Sequence, residues 1–571
     1  MYLKKLISKR TGRTFLSICH NYYDKTSKKT RAKTIQALGY LDELEQKIDN
    51  PIAYYTQIAK EMNEKDKMNK VPLVFEFQAG ETIDANNGNR KKLGHAALSK
   101  IYHQLEIHQF LVNRQRSLKI DFQLNEVMKM LLFQRILDPD SKQKTFEHKD
   151  QYFEKYEFAL ADVYRALTHF SRFQDDLLHF LHKKVSTLYG RDTTNVFYDV
   201  TNYYFEIDEP DEMRKKGVSK EHRPNPIIQM GLLMDRKGLP ITFKLFSGNT
   251  NDCNTLIPVL AEVREQYGIG RMVVVADKGL NTSDNISFNL IQGDGYVFSQ
   301  TVRGANKELK SYVLDPTGYR KIGDDFRVKS RFYPRELTVT NVSGKQVRVQ
   351  VDEKQIIFYS KKYAKRAKSE REPALIKARE FVANPAKFNQ VTSHGAAKYV
   401  KNIEFDKKTG EIITTGKIPQ LDLAKLKEEE QWDGYYAIVT SECDLSDEEV
   451  IDTYRGLWKI EESFKITKSD LETRPVYVST KDHIQAHFLT CFISLLLLRI
   501  LEMKTGGKYS PARMIESLNA VSGSHLQQNY YMFDYFDEVL AHIGLALGMD
   551  FSRRFMSVGE IRNFLASTKK L

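Results

Sequence analysis

NVFYDVTNYYFEI, residues 195–207, is followed by IIQMGLLMD (227–235), GLPITFKLF (238–246) and, after a helix-patterned stretch from Thr255 to Gln266, RMVVVAD (271–277). Runs rich in β-branched and aromatic residues, bounded by Gly, Asn and Asp, read as strands. Strands followed by helix and strand indicate an α/β sheet. A second helix near Ser283 to Ile291 and the run GYVFSQTV (295–302) continue that layer. Asp199 ends the run VFYD and Asp277 ends MVVVAD, the position from which a side chain reaches the crevice of an open α/β sheet. Each is also a common turn former or helix cap. Thr201, two residues past Asp199, points to the same strand face, although β-propensity accounts equally for a Thr there.

Outward from this sheet the texture changes. Residues 304–431 hold short β-type runs (FRVKSRFY, RELTVT, VRVQV, QIIFYS) and one highly charged helical stretch, KKYAKRAKSEREPALIKAREFV, before α/β texture resumes at DGYYAIVT. The pattern predicts a β-rich domain inserted into the sheet domain. Upstream, residues 41–67 and 92–189 are helical, with a stripe of Val127, Met130, Leu131, Phe133 and Ile136. The expected organisation is a basic strand-rich module over 1–40, a helical domain over 41–190, a sheet core over 191–303, the insertion over 304–431, the rest of the core over 432–505 and a helical region over 506–571.

A third acid stands on a helix. Ser446-x-x-Glu449 is a capping box, and EEVIDTYRGLWKIEESFKITKSD (448–470) follows. Val450, Tyr454, Leu457, Glu461, Phe464 and Lys468 step by four and three, the spacing of one helix face. Glu461 and Lys468 therefore fall where hydrocarbon is expected, and a lone buried carboxylate is costly. Glu461 requires a basic side chain, a proton or a metal, and an ion pair with an Arg or Lys is the plain alternative. Glu462, roughly 100° around the helix, is predicted to be solvated. Two strand-end Asp and one helix-borne Glu form a hard oxygen donor set suited to two Mg²⁺ ions in phosphoryl transfer.

Composition and charge agree with such a reaction. At roughly 150 residues per domain, 571 residues make three or four domains. The four cysteines, Cys19, Cys253, Cys443 and Cys491, include no C-x-x-C pair, which argues against a thiolate zinc site or a disulfide framework and for a reducing interior. The opening MYLKKLISKRTGRTF lacks the apolar segment of a secretory signal. FLTCFISLLLL (488–498) is shorter than the roughly 20 residues of a membrane span and reads as a buried helix, so no membrane partner is expected. Lys and Arg outnumber Asp and Glu 87 to 74. The excess sits in residues 1–40 and 361–410, and the remainder is slightly acidic. Two basic segments with interleaved aromatics on a near-neutral body are the footprint of a chain that neutralises phosphates, although each alone is commonly a solvated face.

YRGLWKIEESFKITK, Tyr454 to Lys468, resembles the Y-x2-R-x3-E-x6-K signature of the DDE transposases of bacterial insertion sequences, in the IS-four-related superfamily, with Tyr454, Glu461 and Lys468 in register. YDVTNYYFE and VVVADKGLN are similar to the motifs around that family's first and second Asp, and the MYLKK opening is similar to one long-chain branch. The signature Arg position holds Leu457, while Arg455 stands two residues earlier. The resemblance implies an α/β, RNase H-like mixed-sheet catalytic core interrupted by the β-rich insertion, with a helical N-terminal DNA-binding region and a helical C-terminus. It implies catalysis and metal binding by Asp199, Asp277 and Glu461 with two Mg²⁺ ions, Mn²⁺ substituting. It assigns Tyr454, Lys468 and Arg455 or another basic residue to the element's terminal phosphates, and it makes Trp432 the nearest candidate to stack on a flipped base, against a core role. Trp458 reads as packing. Lys220, His222 and Arg223, in a turn-like segment, are candidate DNA contacts. His483 and His487, spaced i, i+4, lack the intervening Glu of H-E-x-x-H and read as polar contacts.

The implied activity is transposition. The enzyme binds terminal inverted repeats, cuts with Mg²⁺ through a DNA hairpin, and joins the freed 3′-OH to double-stranded target DNA. It works as a homodimer in the synaptic complex, cytoplasmic and nucleoid-associated in a bacterium. The alternatives are an RNase H-like metal-dependent nuclease without joining activity, which strand-transfer products exclude, and a catalytically silent transposase-derived regulator, which Mg²⁺-dependent nicking excludes.

Overall fold

A computed structural model describes residues 1–8, 12–24, 29–45, 48, 50–70, 73–77, 80, 82, 88–220, 224–340, 343–390, 392–405, 411–413 and 418–570. The chain divides into two compact units, Met1–Asn87 and Gly88–Leu571. In the first, β1 (Tyr2–Ile7), β2 (Thr14–Asp24) and β3 (Lys29–Tyr40) form an antiparallel meander in that order, followed by helix α1 (Pro51–Lys70). Leu16, Ser17, Ile18 and Cys19 are buried on β2, and Phe15 meets Tyr40 edge-on at 5.2 Å. The Asn63 side chain of α1 donates to the Met1 carbonyl at 2.6 Å.

The second unit opens with helices α2 (His95–Gln104), α3 (Ile107–Gln115), α4 (Leu124–Leu137), α5 (Lys142–Glu147), α6 (Leu160–Arg172) and α7 (Gln174–Tyr189). The stripe on α4 is buried, and so are Lys129, Gln134 and Arg135 from its other faces, because α4 lies inside the helical layer.

The sheet follows. β4 (Asn195–Tyr204), β5 (Ile227–Asp235) and β6 (Pro240–Ser247) are antiparallel neighbours; helix α8 (Leu256–Gln266) leads to β7 (Val273–Ala276), and helix α9 (Ser283–Ile291) to β8 (Gly295–Gln300). β7 pairs parallel with both β4 and β8. All four residues of β7 are buried, as a parallel strand covered on both faces requires. The order β6-β5-β4-β7-β8, with one antiparallel half and one parallel half, is the RNase H-like arrangement the motifs implied.

Within 304–431 the strands divide between two fates. After helix α10 (Lys307–Leu314) come β9 (Arg320–Lys321), β10 (Phe326–Phe332), the hairpin β11 (Arg335–Thr340) and β12 (Gln346–Val351), and β13 (Lys354–Ser360). β9, β10 and β13 continue the core sheet through β14 (Tyr435–Thr440), giving the nine-stranded order β9-β10-β13-β14-β8-β7-β4-β5-β6. Helix α11 (Lys361–Ala383) leaves β13 directly and shares a separate small core with Tyr399 and Val400, through Leu375, Ala378 and Phe381; helix α12 (Leu423–Glu430) returns the chain to β14.

The helix expected over 448–470 is divided. Its capping box is present, with Glu449 N donating to Ser446 Oγ at 3.2 Å. Helix α13 (Asp447–Arg455) gives way at Gly456 and Leu457 to α14 (Trp458–Lys465), and Ile466–Asp470 forms a single π turn. Both joint residues keep right-handed helical dihedrals, but Leu457 N bonds Tyr454 O at 3.0 Å, so the ladder tightens there to i−3 spacing. Gly456 is required by contact: a Cβ would lie 2.4 Å from the Phe197 ring of β4.

Helix α15 (Lys481–Lys504) is long and apolar enough to cross a membrane, but 94% of its most apolar window is buried at the centre of the second unit. It packs against α4 and α6. Helices α16 (Pro511–Ala520), α17 (Glu538–Leu547) and α18 (Val558–Ser567) complete the chain, beside a four-stranded sheet formed by Phe555–Ser557, Tyr530–Phe533, Ser522–His525 and Arg90–Lys92.

Candidate active site

Asp199 and Asp277 come together through the register of two parallel strands. Val196 pairs with Val274 and Phe197 with Val275; continued by two places, the same register sets Asp199 level with Asp277. Neighbouring strands lie about 4.8 Å apart. Asp199 is in the middle of β4 rather than at its end, but β7 stops at Ala276, so beyond Phe197 this edge of β4 opens into a crevice.

Each Asp is held. Val200 N donates to Asp199 Oδ1 at 2.7 Å, and Ser299 Oγ, on β8, donates to Asp277 Oδ1 at 2.7 Å. Burial pushes the Asp199 carboxyl up to about 6; the Lys220 charge and the Val200 N–H oppose this, while Asp277 and Asp252 add to it. Thr201 is buried.

Glu461, the third acid expected at the site, lies in the first turn of α14. Asp199, Asp277 and Glu461 all line one cavity of about 970 Å³. Glu461 is exposed there, whereas Glu462 accepts an ion pair from Arg499 at 3.0 Å, with the Arg499 side chain only 6% exposed. The expected roles of these neighbours are thus exchanged: the hydrocarbon-side pairing belongs to Glu462, and the solvent-facing acid is Glu461. From Leu457 onward the buried row is Leu457, Ile460, Phe464 and Thr467, which leaves Glu461 beside it, facing the cavity.

Tyr454, Arg455 and Trp432 line the same cavity. The Tyr454 hydroxyl is raised by burial, against a Ser299 hydrogen bond and with Asp277 and Glu461 adding to the shift. Arg455 is bonded to Asp452 at 3.1 Å and stands 5.5 Å from the Phe326 ring. Trp432 is 6% exposed in a small core with Ile357 and Ala437, while Trp458, expected to pack, is 55% exposed on the cavity wall. Lys468 does not line the cavity; it approaches Asp199 together with Lys220, and burial, with the Lys220 charge, brings its amine down to about 8. Lys220 also donates to the Val200 carbonyl and pairs with Asp252 at 3.7 Å. His222 and Arg223 lie outside the described residues. His483 and His487 have polar partners, at 3.4 Å to Thr168 and 3.0 Å to the Thr473 carbonyl.

Sequence reasoning missed Ser299, Arg303 and Arg366, which also line the cavity. Ser299 had one signal, a hydroxyl directly after the apolar run Tyr296–Phe298. Arg366 had none, because only the fold brings its helix to this wall.

The donor set is all carboxylate oxygen, which suits a hard divalent cation. Among the described residues no three His, Cys, Asp or Glu side chains are drawn close enough to enclose an ion by themselves.

The family model described as Transposase DDE domain matches residues 205–497, just over half of the chain. The chain belongs to the DDE transposases. The match includes Asp277 and Glu461 and begins just after Asp199. A second model, IS1634 family transposase N-terminal domain, matches residues 3–71 of this transposase, within the first compact unit. Among solved structures, the cryo-EM structure of a piggyBac transposase synaptic complex with hairpin DNA is similar to 75% of the chain over 78% of its own, at 8% identity and a TM-score of 0.35. None of the curated proteins compared matches the transposase. As a DDE transposase the chain is a metal-dependent enzyme.

Proposed function

We propose that the transposase binds the terminal inverted repeats of its own element and carries out Mg²⁺-dependent strand cleavage and strand transfer in the cavity between β4, β7 and α14, with Asp199, Asp277 and Glu461 as the ion-holding carboxylates and Mn²⁺ able to substitute. The observation that carries this reading is the shared wall: three acids distant in sequence line one cavity, Asp199 on β4 and Asp277 directly after the neighbouring parallel strand β7. Bound divalent cations supply Lewis-acid stabilisation of charge on the attacking and leaving oxygens of a phosphodiester.

The chain's own groups prepare the site for that chemistry. Ser299 fixes one oxygen of Asp277 and leaves the other for the ion. Asp199, with its carboxyl pushed up to about 6, is largely ionised at neutral pH and fully so beside a cation. Tyr454 remains protonated and donates to a phosphate oxygen. Arg455, Lys468 and Lys220 contribute positive charge for the DNA backbone, with His222 and Arg223 in the adjoining segment. Trp458, rather than the buried Trp432, offers an open ring face for an unstacked base in a hairpin intermediate.

The partners are double-stranded end DNA and target DNA, engaged by a homodimer in the synaptic complex, on nucleoid DNA in the bacterial cytoplasm. The test uses purified full-length transposase with DNA spanning the ends of its element. Glu461→Gln abolishes Mg²⁺-dependent cleavage and keeps end binding. Cleavage at the wild-type rate in that variant removes Glu461 from the site, and cleavage without joined products reduces the enzyme to a nuclease.

A further inference from the structure

Helix α11 forms the wall of the cavity that faces the carboxylates. Tyr363, Arg366, Ala367 and Glu370 line it. The first turns of α11 are fixed to the nine-stranded sheet: Ser360 Oγ accepts from Tyr363 N at 3.4 Å, the Tyr363 ring lies 5.0 Å from that of Tyr436, and Arg371 donates to Asp433 at 3.2 Å.

The charges on this half of the helix run against helix stability. Lys361, Lys362, Lys365, Arg366 and Lys368 crowd its N-terminal half, and its first turn contains no acid. The N-terminus of a helix carries partial positive charge, so cations there are unfavourable and acids favourable. All five are exposed. Lys361 pairs with Asp325 at 3.1 Å and Arg366 with Glu370 at 2.7 Å, whereas Lys362, Lys365 and Lys368 have no acidic partner among the described residues. At 100° per residue the five cations occupy one arc of about 160°, and Arg366 stands at the edge of that arc next to Tyr363 and Glu370. Its guanidinium is held above its ordinary range chiefly by the Glu370 bond, with weaker attraction from Tyr436 and from Glu461. A strip of positive charge therefore begins at the cavity wall with Arg366 and covers one side of the N-terminal half of α11.

We infer that the N-terminal half of α11 is a phosphate rail, which grips the sugar–phosphate backbone of duplex DNA as it leaves the carboxylate cavity, with Arg366 as its first contact. The inference rests on reading the cavity as the catalytic site. Contacts of this kind carry no sequence information and contribute affinity with a strong salt dependence. Glu370 occupies the Arg366 guanidinium until a phosphate oxygen competes for it.

The experiment measures binding of full-length transposase to a fluorescent random-sequence 40-base-pair duplex over a range of NaCl concentrations. The combined variant Lys362→Ala, Lys365→Ala, Arg366→Ala, Lys368→Ala is compared with a charge-matched control, Lys508→Ala, Arg562→Ala, Lys569→Ala, Lys570→Ala. Each duplex phosphate left without its cation flattens the slope of log K against log salt by about 0.9. The rail variant is expected to flatten it by roughly three to four and to weaken binding at least about tenfold at low salt, with the control near wild type. Arg366→Gln alone is expected to flatten the slope by about 0.9, which keeps the test open should the combined variant fold poorly. An unchanged slope in the folded rail variant, or an equal loss in the control, overturns the rail. Neither result depends on cleavage, so failure of the Glu461→Gln test strikes the catalytic reading and leaves this one to its own measurement.

Discussion

Arg499, buried on α15, donates to Glu462 at 3.0 Å, while the adjacent Glu461 projects into the cavity. Arg499 also bonds Glu502 at 2.7 Å, Ser463 Oγ at 2.8 Å and the Lys459 carbonyl at 3.1 Å, so one guanidinium ties the central helix to the helix bearing Glu461. Removing Arg499 strands these partners. Arg499→Ala is expected to destabilise the transposase by about 3–5 kcal/mol, and Glu462→Gln by about 1–2 kcal/mol because Glu502 remains. Glu461→Gln leaves denaturant midpoints near wild type. Equal midpoints for the two variants would remove the distinction between the acids, and a lower midpoint for Glu461→Gln would reverse it.

Ser299 holds Asp277 Oδ1 at 2.7 Å, and in the proposed site this orients a metal-holding carboxylate. For Ser299→Ala the Mg²⁺ concentration giving half-maximal cleavage is expected to rise about tenfold, the usual consequence of losing a hydrogen bond behind a ligand. Saturating Mg²⁺ restores most of the rate. Unchanged Mg²⁺ dependence contradicts the role given to Asp277.

Chelation by EDTA is expected to abolish cleavage and leave duplex binding in place. Added Mg²⁺ or Mn²⁺ restores cutting, because an all-oxygen donor set accepts either hard cation. Restoration by neither ion opposes the carboxylate reading.

The two tryptophans should separate cleanly. Trp432→Ala empties part of a small core and is expected to cost about 3–5 kcal/mol of stability. Trp458→Ala, at an exposed ring, shifts stability by about 0.5 kcal/mol or less and instead reduces 2-aminopurine fluorescence changes at the element's end. Loss of that signal with Trp432 alone returns the stacking role to Trp432.

A pH test is available at a buried lysine of the helical layer. Lys142 is buried against His487 at 3.4 Å, and burial, with the Arg135 charge, brings its amine down to about 7. Below pH 7 both folded and unfolded chains hold this proton, and the burial cost is fully present. Between about 7 and the ordinary lysine value of about 10.4, the unfolded chain binds more protons, so stability rises with pH. Lys142→Met is therefore expected to stabilise the transposase most at pH 6–7 and progressively less toward pH 10, read by urea unfolding across that range. A constant difference at all pH values contradicts the depressed amine.

The core strands were legible because each is a short β-branched or aromatic run with Gly or Asp at its boundary. The burial expected for 488–498 is observed, but length was a poor guide to it, since the whole of α15 is long and apolar enough to cross a membrane and is marked as a core helix by its packing. The meeting of Asp199 with Asp277 was expected from their strand-end placement and the resemblance but could not be derived from spacing, because a parallel register is a relation between two segments 78 residues apart and leaves no mark on either. The Glu461 helix misled in a definable way. Its spacing assumed an uninterrupted ladder, yet the ladder tightens at Gly456 against Phe197, and the small polar residues Ser463 and Thr467 take buried places that a hydrophobic pattern assigns elsewhere. The alliance of β10 and β13 with the core sheet was hidden for the same reason as the Asp pair. Their local texture is that of any short strand, and only through-space pairing joins them to β14.

That alliance restricts how the protein can be shortened. β13 is hydrogen-bonded to β14, and β14 to the strand that carries Ser299. Excising residues 304–431 and splicing the ends would strip one side of β14 of its backbone partners, exposing a row of amide and carbonyl groups able to recruit a second chain. A minimal nuclease made by such trimming would be a sticky, self-associating fragment, so an engineered compact version has to keep β10 and β13 and take its savings from the outlying part beyond α11.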